Sequence, residues 1–347
     1  LVFRTLHPIL RADELMDKAY RRASRVKGKG TRPLDRYRNE GLAKINVLVD
    51  ILGDTLDGYV KAFPSLDTLP PFYGEILDIL VDVGALKHHL GTIDWARSRI
   101  VGVGRRTRGE VAGARGRAEV AALVKGLYGR ISSLLRQIDG SLEFLGRARW
   151  EMRRLPQVDP GLPTVVVAGA PNVGKSLLVR RMSTGRPAVG VYPFTTKRVT
   201  VGHFDWGTRR IQVIDTPGLL DRPMEERNEI ERQAVAAIRH IANVIVFLKD
   251  PTETCGYSMQ QQEALLTTIR QHFPDVPIIV ANNKADLLRG PETGFDVSAA
   301  TGEGVEELRK RAAEVSTSRV PEAAPPWAAG QYPAPSSPAP GPWRPRR

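Results

Sequence analysis

Gly169-Ala170-Pro171-Asn172-Val173-Gly174-Lys175-Ser176 fits the pattern G-x-x-x-x-G-K-[ST] and reads as a phosphate-binding loop. The context is the one that the pattern requires. A β-branched run, Thr164 to Ala168, precedes it, and an amphipathic segment starts at Lys175. Successive backbone N–H groups have to converge on a phosphate, and glycine lets the chain approach without a Cβ in the way. The helix N-terminus adds favourable partial charge. In this reading Lys175 stands as a point charge at the β and γ phosphates, and the Ser176 hydroxyl is a ligand for Mg²⁺. A chance glycine turn before a helix is the bland alternative, and the complete match in its context speaks against it.

Working outward, short β-branched runs alternate with amphipathic segments throughout the second half. The runs are Thr164 to Ala168, Val199 to Asp205, Ile211 to Asp215, Val244 to Leu248 and Pro277 to Asn282; helical patterns start at Lys175, Glu229, Ser258 and Val305. The expected fold is α/β, a doubly wound and mainly parallel sheet with its ligand site at the strands' carboxyl ends. Asp215-Thr216-Pro217-Gly218 closes one run, so Asp215 can hold magnesium through a water while the Gly218 N–H reaches a γ phosphate. Between these motifs, Tyr192-Pro193-Phe194-Thr195-Thr196 is expected to present Thr196 to the metal, although a proline turn entering a strand reads similarly. The metal set is thus Ser176, Thr196 and Asp215, and the catalytic set facing the γ phosphate is Lys175, Thr196 and Gly218.

The base end follows from Asn283-Lys284-Ala285-Asp286. A carboxylate is acceptor-only, so Asp286 can take hydrogen bonds from guanine N1–H and the 2-amino group, which adenine cannot reciprocate. Asn283 would brace the loop and reach the base edge, and the Lys284 stem would cover the ring. Ser298-Ala299-Ala300 would bring a backbone N–H to guanine O6. The nucleotide is therefore GTP or GDP, and an ATP-driven machine is disfavoured by Asp286.

The first half has a different texture. Leu42, Ile45, Leu48, Val49, Leu52 and Leu56 repeat with helical spacing, as do Ile76, Ile79, Leu80 and Val83, and then Val120 through Leu142. The expected domains are a basic helical bundle over 1–160, the nucleotide domain over 161–316 and a Pro/Ala-rich, disordered tail over 317–347. Of the +13 net charge, residues 1–160 carry 28 basic against 19 acidic side chains, and residues 161–316 carry 19 against 18. This places the excess on the first half and implies a polyanionic partner, RNA foremost. Lys18, Arg21, Arg22, Arg25, Lys27, Lys29 and Arg32 run without an intervening acid, and Arg97, Arg99, Arg105, Arg106, Arg108, Arg115 and Arg117 form a second cluster. Such runs are also commonly just solvated.

At 41% hydrophobic and 26% charged residues the composition is that of a globular chain, and no apolar run approaches the roughly 20 residues of a membrane span. A single cysteine, Cys255, excludes an intrachain disulfide and fits a reducing, cytoplasmic setting. The start at Leu1 rather than Met suggests a trimmed or miscalled beginning. The six histidines show no metal-ligand spacing, and a monomer is expected.

With these elements in place, the second half resembles the translation-factor-related GTPases and, through Tyr192 to Lys197 and the Pro171-Asn172 pair, the Obg superfamily. Lys249-Asp250-Pro251-Thr252-Glu253-Thr254-Cys255-Gly256-Tyr257-Ser258 is similar to the run after the fourth strand of the nucleolar GTP-binding (Nog) family, and the length fits an archaeal-type member. The resemblance implies GTP hydrolysis to GDP and a switch role in assembling the large ribosomal subunit, with pre-ribosomal RNA contacted by the basic half. An Obg-type sensor of the GTP/GDP ratio, regulating stress or translation, is the alternative. Leu219 stands where many GTPases keep a water-orienting glutamine, which implies slow unassisted hydrolysis, and Asn172 matches an asparagine that relatives use to hold K⁺. Only eleven residues separate Asp286 from Ser298, so the sheet edge there should be pared down.

Overall fold

The computed structural model describes residues 3, 6–155, 158–191, 198–218, 220–221, 228–289 and 294–319. They form two compact units. One comprises Leu1–Leu66 and Leu80–Arg153, the other Asp67–Ile79 and Arg154–Arg347. A piece of chain from inside the 1–160 span thus belongs with the nucleotide-domain sequence.

The helices of the first half are α1 (Ala12–Ser24), α2 (Pro33–Ala62), α3 (Pro71–Val81), α4 (Val83–Gly113), α5 (Arg117–Gln137) and α6 (Asp139–Arg154). In α2, Pro33 pre-sets the first helical φ, and the stripe Ile45, Leu48, Leu52 and Leu56 is fully buried. Each such side chain contributes about 1.5–3 kcal/mol by leaving water. The facing helix α4 comes very close: a Cβ on Gly104 would stand 2.4 Å from Val49 Cγ2, so this crossing requires glycine.

Two features that the sequence reading did not specify have local causes. The apolar pattern from Val120 to Leu142 is two helices rather than one, because Asp139 opens α6 and its carboxylate accepts from the Ala12 N–H at 2.9 Å and from the Arg11 guanidinium. The basic run starting at Lys18 also lies partly on a helix, α1, which buries Leu15, Met16, Ala19 and Ala23 and leaves Lys18, Arg21 and Arg22 exposed on its other side.

The second unit is built on a seven-stranded sheet in the order β2-β3-β4-β1-β5-β6-β7. Its strands are β1 (Thr164–Ala168), β2 (Ala188–Val191), β3 (Arg198–Trp206), β4 (Arg209–Asp215), β5 (Val244–Lys249), β6 (Ile278–Asn282) and β7 (Phe295–Asp296). The five strands from β4 to β7 run parallel, while β2 and β3 add as antiparallel neighbours. The central strand β1 is buried along its whole length, as a strand covered on both faces must be. Helices α7 (Lys175–Met182), α8 (Glu229–Ile238), α9 (Met259–His272) and α10 (Val305–Thr317) complete the α/β pattern.

Strand β2 was not expected from sequence; four residues with no polar alternation give no period to read. Among the described residues no helix separates Asp286 from Ser298, and the sheet edge is reduced to the two-residue β7. The segment Asp67–Ile79 is tied into this unit by a hydrogen bond from the Tyr73 hydroxyl to the Val158 carbonyl and by Glu75 against His240 Nε2 at 2.9 Å.

Candidate nucleotide site

The loop between β1 and α7 lies where the strand order changes side, with β4 and β5 flanking β1, which is the ligand crevice of such sheets. Lys175 is the first residue of α7 and only 6% exposed. Its ammonium lies 2.8 Å from both the Gly169 and the Ala170 carbonyl oxygens, so its charge is held at the mouth of the loop. Asn172 is exposed at φ 61°, the left-handed region that asparagine tolerates better than most residues. Pro171 and Gly174 are partly exposed, and Ala170 and Val173 are buried under the loop.

The Ser176 hydroxyl donates to Asp215, which ends β4 fully buried. A hydroxyl and a carboxylate are hard oxygen donors of the type that Mg²⁺ takes, and so few protein ligands suit an ion that completes its shell with water and phosphate oxygens. No group of three or more His, Cys, Asp or Glu side chains suited to a metal occurs among the described residues. Thr216, next in the chain, donates to the Val167 carbonyl at 3.2 Å and ties the β4 end to β1. The Gly218 N–H, expected at a γ phosphate, donates to Asp221 Oδ2 at 2.8 Å. Asp221 is 5% exposed and was not singled out from sequence. Thr196 and Leu219 lie outside the described residues.

Asn283 joins the two ends of the site. Its Nδ2 donates to the Val173 carbonyl of the phosphate loop at 2.7 Å, its Oδ1 accepts the Ala299 N–H at 2.9 Å, and its own N–H donates to the Lys249 carbonyl at 2.7 Å. The side-chain amide therefore braces the phosphate loop against the Ser298–Ala300 loop, while the backbone N–H ties the residue to the end of β5. Gly174 makes the approach possible: a Cβ there would meet Asn283 Nδ2 at 2.3 Å, and φ is 102°. Asp286 is exposed on the same turn, its carboxylate open to a ligand, while Lys284 is partly exposed.

Of the Ser298-Ala299-Ala300 triplet, Ser298 and Ala299 are buried, and their N–H groups go to the Glu303 carbonyl and to Asn283. Ala300 is exposed and, among the described residues, is the member whose N–H is not used in this way. A residue that the sequence reading missed, Arg181 of α7, donates from Nε to the Ala299 carbonyl at 3.1 Å and from its guanidinium to the Ala300 carbonyl. Its distance of more than a hundred residues from that triplet gave no sequence signal.

A glycine-lined phosphate loop, a hydroxyl–carboxylate pair and a carboxylate-bearing base loop, all following the carboxyl ends of the parallel strands, define a GTP-binding P-loop protein. Comparison with known proteins narrows the class. The family model described as the NOG1 N-terminal helical domain matches residues 3–159, and that of nucleolar GTP-binding protein 1 matches residues 229–286. An uncharacterized protein of Methanocaldococcus jannaschii is 37% identical over 82% of this chain and 81% of its own length. Nucleolar GTP-binding protein 1 of Caenorhabditis elegans is 35% identical over 78% of this chain, which spans only 42% of that longer protein. A Plasmodium falciparum crystal structure assigned as nucleolar GTP-binding protein 1 is 34% identical, covers 47% of this chain and 91% of its own, and superposes with a TM-score of 0.42. The chain belongs to the nucleolar GTP-binding (Nog) family of GTPases.

Proposed function

We propose that the chain is a GTP-gated switch that docks on the RNA of the large ribosomal subunit while that subunit is being assembled. The observation that carries the reading is the exposure of the entire acid-free basic run, with Lys18, Arg21, Arg22, Arg25, Lys27, Lys29 and Arg32 all open to solvent, in a chain that also holds a guanine-nucleotide site. Of these side chains, Arg21 is bridged to Asp17 at the surface, an arrangement worth little and easily traded for a phosphate. The second cluster is more committed. Arg97 is paired to Asp94, Arg99 lies over Trp95, Arg108 donates to Asn46 Oδ1 at 3.2 Å and Arg117 lies over Tyr37, which leaves Arg105, Arg106 and Arg115 as its more available members. The word nucleolar in the relatives' names fits an RNA-rich workplace. For this chain the proposed setting is the cytoplasm, as a monomer; none of its described helices is long and apolar enough to cross a membrane.

In hydrolysis, water adds to the γ phosphorus, the bond to the β–γ bridging oxygen breaks, and GDP and phosphate leave. Lys175 neutralises the β and γ oxygens, and the Gly218 N–H turns from Asp221 to the γ phosphate. Mg²⁺, when bound, neutralises the β and γ oxygens; Ser176 and Asp215 would hold it, with Thr196 as third partner. A K⁺ at Asn172 would supply charge that other GTPases take from an arginine. With Leu219 in place of a glutamine, turnover is slow until a partner or the cation is present.

Sedimentation of the full chain with large-subunit precursor particles, loaded with GDP or a non-hydrolysable GTP analogue, tests the reading. Retention on precursors in the GTP state and release in the GDP state is expected, with RNA fragments crosslinked to the Lys18–Arg32 run. Equal association in both states, or association with mature ribosomes alone, favours the Obg-type sensor instead and overturns the assembly switch.

A further inference from the structure

The run after β5 that carries the family resemblance supplies none of the phosphate, metal or base contacts described above. Its centre is Asp250, a carboxylate with 0% exposure. Its Oδ1 accepts from the Thr252 N–H at 3.0 Å and from the Thr252 hydroxyl, and its Oδ2 accepts from the Cys255 N–H at 2.9 Å and the Thr254 hydroxyl at 3.2 Å. Oδ2 also receives the Lys284 ammonium at 2.5 Å, and that ammonium bonds the Thr254 hydroxyl at 2.6 Å. The backbone of Asp250 is gripped from α9. Buried Gln262 accepts its N–H at 2.8 Å and donates to its carbonyl at 3.0 Å and to that of Tyr257 at 2.9 Å. Burial works against ionisation of Asp250, but the bonds from Lys284, Thr252 and Cys255 outweigh it and hold the carboxyl below its ordinary range.

The other end of the ion pair is under strain. Lys284 has φ 64°, a conformation that side chains other than glycine and asparagine rarely adopt. It is also the pivot of the turn that carries Asp286, since its carbonyl accepts from the Leu287 N–H at 2.8 Å and the Leu288 N–H at 3.1 Å. Such a conformation persists when surrounding contacts over-determine it, and the Asp250 carboxylate is the charged contact on this side chain.

We infer that Asp250 is a positioning residue for guanine selection: by anchoring the Lys284 ammonium it holds the strained turn on which Asp286 meets the base. The loop acts through Lys284 and touches no nucleotide. The same pull lays the Lys284 stem in a fixed line, while Gln262 fixes the loop to α9. This rests on the guanine-reading role of Asp286, and the test separates the two.

Inosine diphosphate lacks the 2-amino group that Asp286 reads and keeps the rest of the base edge, so the GDP/IDP affinity ratio reports on the placement of Asp286. Dissociation constants for GDP and IDP are measured by titration on the full chain, as wild type and as Asp250→Asn, with thermal unfolding of each. The wild type is expected to prefer GDP. Asp250→Asn, which keeps size but drops the charge, is expected to lose about tenfold or more in GDP affinity and less in IDP affinity, since IDP offers Asp286 only the N1–H, so that the ratio falls toward one. An equal loss for both nucleotides marks a merely structural role and overturns the inference, as does an unchanged ratio. Should Asp250→Asn not fold, Thr254→Val, which removes a hydroxyl shared by Asp250 and Lys284 and leaves the ion pair, is expected to lower the ratio by about two- to fivefold, and an unchanged ratio in it overturns the inference equally. A wild type with no preference between GDP and IDP would instead remove the guanine-reading role of Asp286.

Discussion

Replacing Gly174 with alanine probes the join between the two ends of the nucleotide site. The added methyl would stand 2.3 Å from Asn283 Nδ2, and φ at this position is 102°. Two costs follow. Holding a side-chain-bearing residue in that region costs about 1–3 kcal/mol. Displacing the Asn283 amide breaks its bond to the Val173 carbonyl and strains the one from the Ala299 N–H, and an unsatisfied buried group costs about 1–3 kcal/mol. The sum is about 2–6 kcal/mol, or roughly thirtyfold to twenty-thousandfold in affinity if all of it falls on nucleotide binding. Whatever part falls on the fold lowers the melting temperature by about 2–4 °C per kcal/mol, so calorimetry is run beside the titration. The assay is displacement of a fluorescent GDP analogue from the full chain. A Gly174→Ala variant that binds GDP within threefold of wild type, with an unchanged melting temperature, would refute the claim that Asn283 and the phosphate loop are wedged together.

Three further outcomes are expected. Asp286→Asn loses about 10- to 150-fold in GDP affinity, since one of two acceptors is gone, and gains binding of xanthosine diphosphate, whose 2-oxo group accepts from the new amide; competition titration measures both. Asp221→Asn raises GTP affinity relative to GDP by about fivefold or more, because the carboxylate that holds the Gly218 N–H would also repel a γ phosphate; nucleotide competition at equilibrium checks the ratio. In the helical unit, the Arg11 guanidinium, with the Ala12 N–H, holds the Asp139 carboxyl down to about 2, from an ordinary value of 3.8. Because the folded value is the lower one, this contribution is complete above about pH 4 and disappears as pH falls through about 2. Urea midpoints followed over that window should decline in wild type and decline less in Asp139→Asn.

The parts of the site that could be read in the sequence are those whose chemistry is local backbone. A phosphate loop needs glycines at fixed spacing next to a lysine and a hydroxyl, and Gly169 to Ser176 shows all of them in eight letters. Asn283 to Asp286 is equally compact. Gln262, Arg181 and Asp221 left no such trace, and the Lys249 to Ser258 run showed a likeness without showing what Asp250 touches. Asp250 reaches Lys284 across 34 positions and Arg181 reaches Ala299 across 118, and only the order of the strands brings them together. The fold followed the same division. The β1 run is continuously apolar and sits directly before the glycine loop, and the α2 stripe has a clear helical period, whereas α1 was obscured by its charged face and β2, four residues long, had neither cue.

The grouping of Asp67–Ile79 with Arg154–Arg347 makes the nucleotide-binding unit discontinuous in the gene. The chain starts the bundle, detours to lend a helical segment to the other unit, returns, and only then commits to the sheet. A fragment begun at the end of α6 would lack the Tyr73 hydroxyl that Val158 receives and the Glu75 carboxylate beside His240. The GTP-binding unit is thus split in sequence, and its Asp67–Ile79 piece leaves the ribosome before the sheet it packs with has been made.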